Sequence, residues 1–184
     1  MAKLDFLRQG IKNMRTIGSV SRSSGFVSKT MLDAVDFTIA KVVVELGAGD
    51  GAITEHLLKR LQPDARLLIF EVNAAFCEEL RKLPDSRITI IEDSAEHIES
   101  YLKNLQIESI DAVISAIPFV LFPKELSINI LKAVKSCMKQ GASFVQLHYS
   151  LSLKKMYEEI FGQVRFEFVP INIPPAFIIL CKKA

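Results

Sequence analysis

The sequence has few of the residues that build metal sites and disulfide frameworks. Among its 184 residues are three cysteines and three histidines, and these are scattered along the chain. They form no CxxC, HxH or HxxxH spacing, so we expect neither a metal nor a disulfide. No apolar run approaches the roughly 18 residues that a membrane span needs, and the charged N-terminus differs from a signal peptide. These absences favour a cytoplasmic protein.

The composition predicts one folded domain with an uneven charge distribution. Hydrophobic residues make up 49% of the chain and charged residues 24%, which suits a packed globular core. The first 30 residues contain six basic residues and one acid, a net charge of +5, although the whole chain carries only +2. The rest of the chain is therefore slightly acidic, which argues against a broad nucleic-acid surface.

The basic N-terminal segment shows helical periodicity. Its apolar stripe consists of Leu4, Leu7, Ile11 and Met14. A basic flank follows the same spacing at Arg8, Lys12 and Arg15. Such a helix either lies on an anionic membrane surface or packs on the domain with solvated basic side chains. We expect residues 1–36 to form N-terminal amphipathic and lid helices, and residues 37–184 to form the main domain of one compact unit.

Short apolar strands alternate with helical patterns through the rest of the chain. Strands are predicted at 41–46, 67–71, 88–91, 112–115, 143–148, 164–168 and 177–180. Helices are predicted at 52–61, 74–82, 95–105, 124–139 and 151–160. This alternation predicts an α/β fold with a doubly wound, Rossmann-like and mostly parallel sheet of seven strands. The last connection, 169–176, is short and proline-rich, so the final strand should be antiparallel.

A glycine loop follows the first predicted strand. Gly47, Gly49 and Gly51 are separated by single residues and precede a helix, which lets a ligand approach bare main chain. Glu45 and Asp50 would repel a dinucleotide pyrophosphate but attract the cationic sulfonium and ammonium groups of S-adenosylmethionine. We favour the methyl donor over a dinucleotide, and a purely structural turn is the third alternative.

Two further acidic positions are expected at the same edge of the sheet. Glu71 ends the next strand, and chain-length arithmetic returns it beside the glycine loop, where its oxygens can accept both ribose hydroxyls. Asp93 can accept from an adenine amino group with Ser94 beside it, although Ser94 also suits an ordinary helix cap. An exposed acid at a strand end is the alternative for Glu71.

The fourth strand ends near the expected methyl-transfer position. It delivers Ser115, and a turn with Pro118 and Phe119 follows. Phe119 and Phe122 could form an aromatic wall for a cationic amine. A plain strand-to-helix turn explains the same residues.

His148 and Tyr149 end the fifth strand and are the remaining candidates for substrate contact or proton acceptance. Structural roles at the strand end are the alternative for both residues.

Together, the segment Val44 to Gly51, Glu71, Asp93-Ser94 and the strand leading to Pro118 resemble a class I S-adenosylmethionine-dependent methyltransferase. The resemblance covers nearly the whole domain. The expected donor-binding residues are Glu45, Gly47, Ala48, Gly49, Gly51, Glu71, Val72, Asp93, Ser94 and Ser115.

Within that class, the chain resembles the short bacterial phospholipid N-methyltransferases through Phe6 to Arg8, Ile11 to Asn13, Ile17 to Ser24 and Asn172 to Ala176. This resemblance implies methylation of a phosphatidylethanolamine-type headgroup by a protein that is peripheral on the inner face of an anionic membrane.

The expected methyl-transfer chemistry also assigns residue roles. Arg22, Pro118 and Phe119 are the expected substrate contacts, and Ser115, His148 and Tyr149 the expected catalytic residues. Arg22, or the helix start near Ser23-Ser24, is the candidate for the lipid phosphate.

Departures from the family pattern leave an alternative open. Family members often have Ser-Ser-Leu-Pro at the fourth strand, where this chain has Ser115 to Pro118. Ribosomal RNA adenine dimethyltransferases resemble the chain through the glycine loop and Ile117 to Phe119, but they use an asparagine-type amide where Ser115 stands. An rRNA adenine N6-methyltransferase or a small-molecule methyltransferase is therefore the alternative function.

Overall fold

A computed structural model describes residues 25–184. The predicted membrane-docking helix and Arg22 lie outside these residues. The strands are β1 (Val42–Leu46), β2 (Arg66–Phe70), β3 (Ile88–Ile91), β4 (Ile110–Ser115), β5 (Met138–His148), β6 (Val164–Val169) and β7 (Ala176–Lys182). The helices are α1 (Gly25–Asp33), α2 (Ala52–Leu58), α3 (Ala74–Leu80), α4 (Ile98–Asn104), α5 (Lys124–Cys137) and α6 (Lys154–Phe161). Short 3-10 turns occupy Ala95–His97 and Phe119–Leu121.

The strands form one seven-stranded sheet in the order β3-β2-β1-β4-β5-β7-β6. Strands β1 to β5 are parallel, and β7 is antiparallel to both of its neighbours. The prediction of a doubly wound α/β sheet with an antiparallel final strand is confirmed. The order reverses between β1 and β4, and the ends of the parallel strands meet at what we call the carboxyl edge. Ligands of open α/β sheets bind at such a reversal.

Helices cover both faces of the sheet because successive strand residues point to opposite sides. On β1, Val43 packs with α1 and α2, whereas Val44 packs with the core beneath α4, α5 and α6. Val27, Met31 and Leu32 of α1 belong to the first of these cores. The first described helix is thus packed with the domain, and the division at residue 36 stays a prediction.

The boundaries differ from the sequence prediction mainly around β5. This strand begins at Met138 rather than 143, and its register with β4 shifts between Ile110 and Ala112. Gly141 adopts a positive φ of 76° in this stretch and donates its N–H to the carbonyl of Lys183. A pattern of alternating residues does not reveal a strand that is interrupted by such an irregularity.

Arg87 binds the C-terminal end of α2, the helix that follows the glycine loop. Its guanidinium donates to both oxygens of Asp85, at 2.9 and 2.6 Å, and to the carbonyls of Leu58 and Leu61 at 2.8 Å. These carbonyls are otherwise unsatisfied at a helix end. The hydrogen bonds from Arg87 hold the pKa of Asp85 at about 2.

We expect Arg87→Ala to lower the free energy of unfolding by about 2 kcal/mol, because the charged hydrogen bonds to Asp85 and to two carbonyls are lost together. Denaturant unfolding measures this change. Lys82→Ala is the control, since Lys82 makes an exposed pair with Glu79 that contributes little. Equal effects of the two substitutions would contradict the role assigned to Arg87.

Candidate active site

The glycine loop at the end of β1 adopts the backbone conformation that glycine alone takes readily. Gly47, Gly49 and Gly51 have φ values of 71°, 56° and 80°. The N–H of Gly47 bonds to the carbonyl of Phe70 at 2.8 Å, and that of Gly51 to the carbonyl of Ala48 at 3.0 Å. A Cβ at Gly47 would lie 3.1 Å from a side-chain carbon of Ile117 and 3.3 Å from its nitrogen. The loop therefore packs directly against the turn after β4.

Glu71 lies beside this loop, as chain-length arithmetic predicts. One carboxylate oxygen accepts the N–H of Gly49 at 3.0 Å, and the other accepts the N–H of Asn73 at 2.8 Å. Burial raises the pKa of this carboxyl. Each oxygen has a second lone pair, so two sites remain for ribose hydroxyls. The alternative interpretation of Glu71 as an exposed acid at a strand end does not fit, because the side chain of Glu71 is buried.

Glu45 lies beneath the loop in the interior. One oxygen accepts the hydroxyl of Thr54 on α2 at 2.7 Å. The other oxygen is buried and has no hydrogen-bond partner among residues 25–184. Burial raises the pKa of Glu45 to about 8, with a smaller contribution from Glu71. A buried acid with an open acceptor fits the ammonium and sulfonium charges of the methyl donor, since an approaching cation favours its ionised form.

Asp93 and Ser94 follow β3 at the same edge. Ser94 caps the 3-10 turn by accepting the N–H of Glu96 at 3.2 Å, which confirms the cap alternative. One oxygen of Asp93 accepts the N–H of Ser94 at 2.7 Å. The other accepts the hydroxyl of Tyr101 at 3.0 Å and lies 3.1 Å from Nδ1 of His97. Asp93 is held in place by these groups, and its adenine contact stays a prediction.

The turn after β4 holds two of the predicted contact residues, Ser115 and Phe119. Ser115 is fully buried, and its hydroxyl accepts only a long bond of 3.4 Å from the N–H of Ile117. The ring of Phe119 is also buried and packs edge-on against Phe122 and Tyr157. This geometry gives no support to the aromatic wall or to the Ser115 side-chain contact, and both stay predictions. Helices α5 and α6 pack over this turn, and Pro118 is partly exposed.

His148 also differs from its predicted role. It is buried at the end of β5, and its Nε2 lies 2.8 Å from the hydroxyl of Tyr157. Burial lowers its pKa to about 4, so it is a poor acceptor for an ammonium proton. Tyr149, one residue further on, is partly exposed at the carboxyl edge. The part of its surface that is buried raises the pKa of its hydroxyl. Tyr149 therefore remains the candidate on this strand.

Several residues of the site were missed from the sequence. Asn73 caps α3 by accepting the N–H of Ala75 at 3.0 Å, and its own N–H holds Glu71. An asparagine directly before a helical pattern is a recognisable cap signal. The amide of Gln146 donates to the carbonyl of Ile117 at 2.9 Å and so supports the turn after β4. Neither Gln146 nor Thr54 has a sequence signal for these contacts.

Residues 25–184 hold no group of three or more His, Cys, Asp or Glu side chains that could bind a metal ion. Within the same range, every helix is too short or too polar to cross a bilayer.

Comparison with known proteins identifies the class. Residues 43–141, which include the glycine loop and Glu71, match the family model described as a methyltransferase domain. The chain belongs to this family and is a class I S-adenosylmethionine-dependent methyltransferase. The predicted class, enzyme activity and donor are thereby confirmed.

One relative is similar over almost its full length. The ornithine lipid N-methyltransferase of Singulisphaera acidiphila is 32% identical over 96% of this chain and 94% of that protein. The ribosomal RNA small subunit methyltransferase A of Thermotoga petrophila is 30% identical over 65% of this chain and 44% of that protein.

Solved structures share the fold at low identity. The O-methyltransferase TomG of Streptomyces achromogenes, in complex with S-adenosylmethionine, covers 97% of this chain and 90% of its own, with a TM-score of 0.72 at 15% identity. Precorrin-6y C5,15-methyltransferase of Geobacter metallireducens covers 88% of this chain and 90% of its own, with a TM-score of 0.68 at 17% identity.

We expect Gly47→Ala to destabilise the protein by about 2–3 kcal/mol, since it combines a positive φ with a clash against Ile117. Gly141→Ala is the matched control, because Gly141 also has a positive φ but open space around its Cβ position. The control should lose only about 1 kcal/mol. Thermal unfolding measures both changes. If the two variants lost equal stability, the close approach of loop and turn would be wrong.

Glu45→Gln should stabilise the protein increasingly as the pH rises. The wild-type carboxyl has a folded pKa of about 8, above its value of 4.5 in the unfolded chain, so ionisation favours unfolding between these limits. We expect the variant to gain about 3–4 kcal/mol over the wild type between pH 5 and pH 8. Urea unfolding across this range measures the difference, and parallel curves for the two proteins would contradict the buried protonated state.

Proposed function

We propose that this methyltransferase transfers the methyl group to the amine of a lipid headgroup, of the phosphatidylethanolamine or ornithine lipid type. The observation that carries the proposal is the similarity to an ornithine lipid N-methyltransferase along nearly the whole of both chains. The similarity to the ribosomal RNA methyltransferase stops at 65% of this chain and covers less than half of that protein. The lipid amine is therefore the better-supported acceptor.

The donor occupies the β1–β2–β3 half of the carboxyl edge in this proposal. The main chain of Gly47 to Gly51 receives the amino-acid part, Glu71 the ribose, and Asp93 with Ser94 the adenine. When bound, S-adenosylmethionine supplies an electrophilic methyl group. Glu45 contributes negative charge beneath the loop once a cation is close. The hydrogen bonds to Glu71 fix its carboxylate before any ligand arrives.

The acceptor occupies the β4–β5 half, where Pro118 and Tyr149 border the edge. An attacking amine must be neutral, and a headgroup ammonium loses its proton more easily when burial and a nearby cation lower its pKa. A tyrosine phenol is neutral at neutral pH, and burial raises the pKa of Tyr149 further. A neutral phenol oxygen accepts a hydrogen bond from the amine and orients it. Water takes the released proton.

The direct test uses labelled S-adenosylmethionine with purified protein and either mixed liposomes or total RNA. We expect the label in the lipid fraction, with phosphatidylethanolamine and ornithine lipid assayed separately. Label in RNA alone would overturn the lipid proposal in favour of the ribosomal alternative. Label only in small metabolites would do the same in favour of a small-molecule enzyme.

Two variants separate donor binding from acceptor positioning. Glu71→Gln should weaken donor binding by about tenfold or more, because a charged acceptor is replaced. Tyr149→Phe should leave donor affinity unchanged and lower kcat by about tenfold or more. Glu79→Gln, an exposed change in α3, is the control for both. Calorimetry measures donor affinity, and donor affinity unchanged by Glu71→Gln would remove Glu71 from the site.

A further inference from the structure

Three loops at the carboxyl edge expose aliphatic side chains. We call this group the apolar edge patch, and its members are Val120, Leu121, Leu151, Ile171 and Ile173. Ile173 has 84% of its surface exposed and Ile171 65%. Single exposed aliphatic residues are common on proteins, but several on one edge mark an interaction surface.

The sheet topology places all three loops together. The turn with Val120 and Leu121 follows the end of β4, and Leu151 follows the end of β5. The β6–β7 connection reaches the same edge because Phe177 of β7 pairs with His148, the last residue of β5. Its two isoleucines therefore lie beside the end of β5. The patch borders the acceptor half of the site and does not extend to the acidic donor half.

Basic residues lie around the same edge. Helices α5 and α6 begin there, and their first turns carry Lys124, Lys154 and the highly exposed Lys155. Lys154 and Lys155 pair with Glu158 and Glu159 one turn further along α6, at 3.5 and 3.9 Å, and such exposed pairs contribute little to stability. An anionic surface facing the edge would compensate them.

The described residues also begin near this edge. Asp33, at the end of α1, pairs with Arg60 just beyond the end of α2 at 2.7 Å. Since α2 starts at the glycine loop, the end of α1 lies at the opposite edge and its first residue, Gly25, lies toward the carboxyl edge. The preceding 24 residues carry five basic residues and one acid, a net charge of +4. A basic segment of the sequence therefore directly precedes the residue that lies toward the carboxyl edge.

We propose that the apolar edge patch inserts into the headgroup region of an anionic phospholipid bilayer, so that the acceptor half of the site opens onto the membrane. This proposal rests on the proposed lipid acceptor. Aliphatic side chains ringed by lysines suit the interface of such a bilayer, where apolar burial and attraction to anionic headgroups add together. A lipid headgroup could then reach Tyr149 without leaving the membrane.

A tryptophan probe tests the proposal directly, because the chain contains no tryptophan. Ile173→Trp places the probe in the patch. Ile39→Trp is the matched control, since Ile39 is 72% exposed but precedes β1 at the opposite edge. With phosphatidylglycerol–phosphatidylethanolamine vesicles we expect a blue shift and quenching by brominated lipid only for Trp at position 173. Equal responses at both positions would overturn the proposal.

Two other outcomes of this experiment also overturn it. A blue shift of the probe at position 173 without vesicles, rising with protein concentration, would assign the patch to a second copy of the chain. A shift that is present at all concentrations and unchanged by vesicles would mean that residues 1–24 cover it.

A second pair of variants measures how much the exposed isoleucines contribute to vesicle binding. Ile171→Ser with Ile173→Ser should weaken vesicle binding by roughly tenfold or more, because two exposed aliphatic groups lose their partitioning. Ile39→Ser should leave vesicle binding unchanged. Unaltered binding by the double variant would contradict insertion of the β6–β7 loop.

The same variants separate this proposal from the proposed function. With lipid dispersed in detergent micelles, the double variant should methylate as the wild type does, and with vesicles it should be slower. Methylation in micelles without insertion into vesicles would overturn the patch and leave the lipid acceptor standing. Insertion into vesicles without methylation of any lipid would reject the acceptor instead.

Discussion

The site depends on the carboxylate of Glu71, which ties two strand ends together. Its two oxygens accept the N–H groups of Gly49 and Asn73, so one buried side chain sets the position of the glycine loop relative to the end of β2. The bond from Gly47 to Phe70 reinforces the same connection. Hydrogen bonds to a buried charge are strong, and a ligand that meets a fixed loop loses less entropy on binding. The donor half is thus organised by the chain itself.

Glu45, the second buried acid, makes this arrangement compatible with folding because it holds a proton. Two ionised carboxylates beneath one loop would repel each other in a medium of low dielectric constant. With its pKa near 8, Glu45 keeps a proton at neutral pH while Glu71 is held by two main-chain donors. The protein retains an acid whose ionisation costs stability in the empty fold but is favoured beside a cation. This cost is typical of a binding group, since a neutral residue of the same shape would be more stable.

Sequence patterns predict the parts of the site that follow from strand and helix length. The glycine loop, Glu71 beside it and Asp93 at the next strand end all depend on the regular return of the chain to one edge. The orientation of single side chains in irregular turns is not encoded in this way. Phe119 turns inward because α6 brings Tyr157 against it, and His148 is buried by the same tyrosine. No periodicity in the sequence reveals where α6 packs.

The antiparallel end of the sheet divides the carboxyl edge into two chemical halves. A further parallel strand would need a crossover helix, which would return the chain to the opposite edge before the strand began. The hairpin between β6 and β7 instead turns at the carboxyl edge and adds a third loop next to β4 and β5. Acids and glycines thus occupy the ends of β1 to β3, whereas aliphatic loops occupy the other side. A cationic donor and the proposed acceptor, which carries acyl chains, need opposite surroundings, and the reversal of strand order provides both within one sheet.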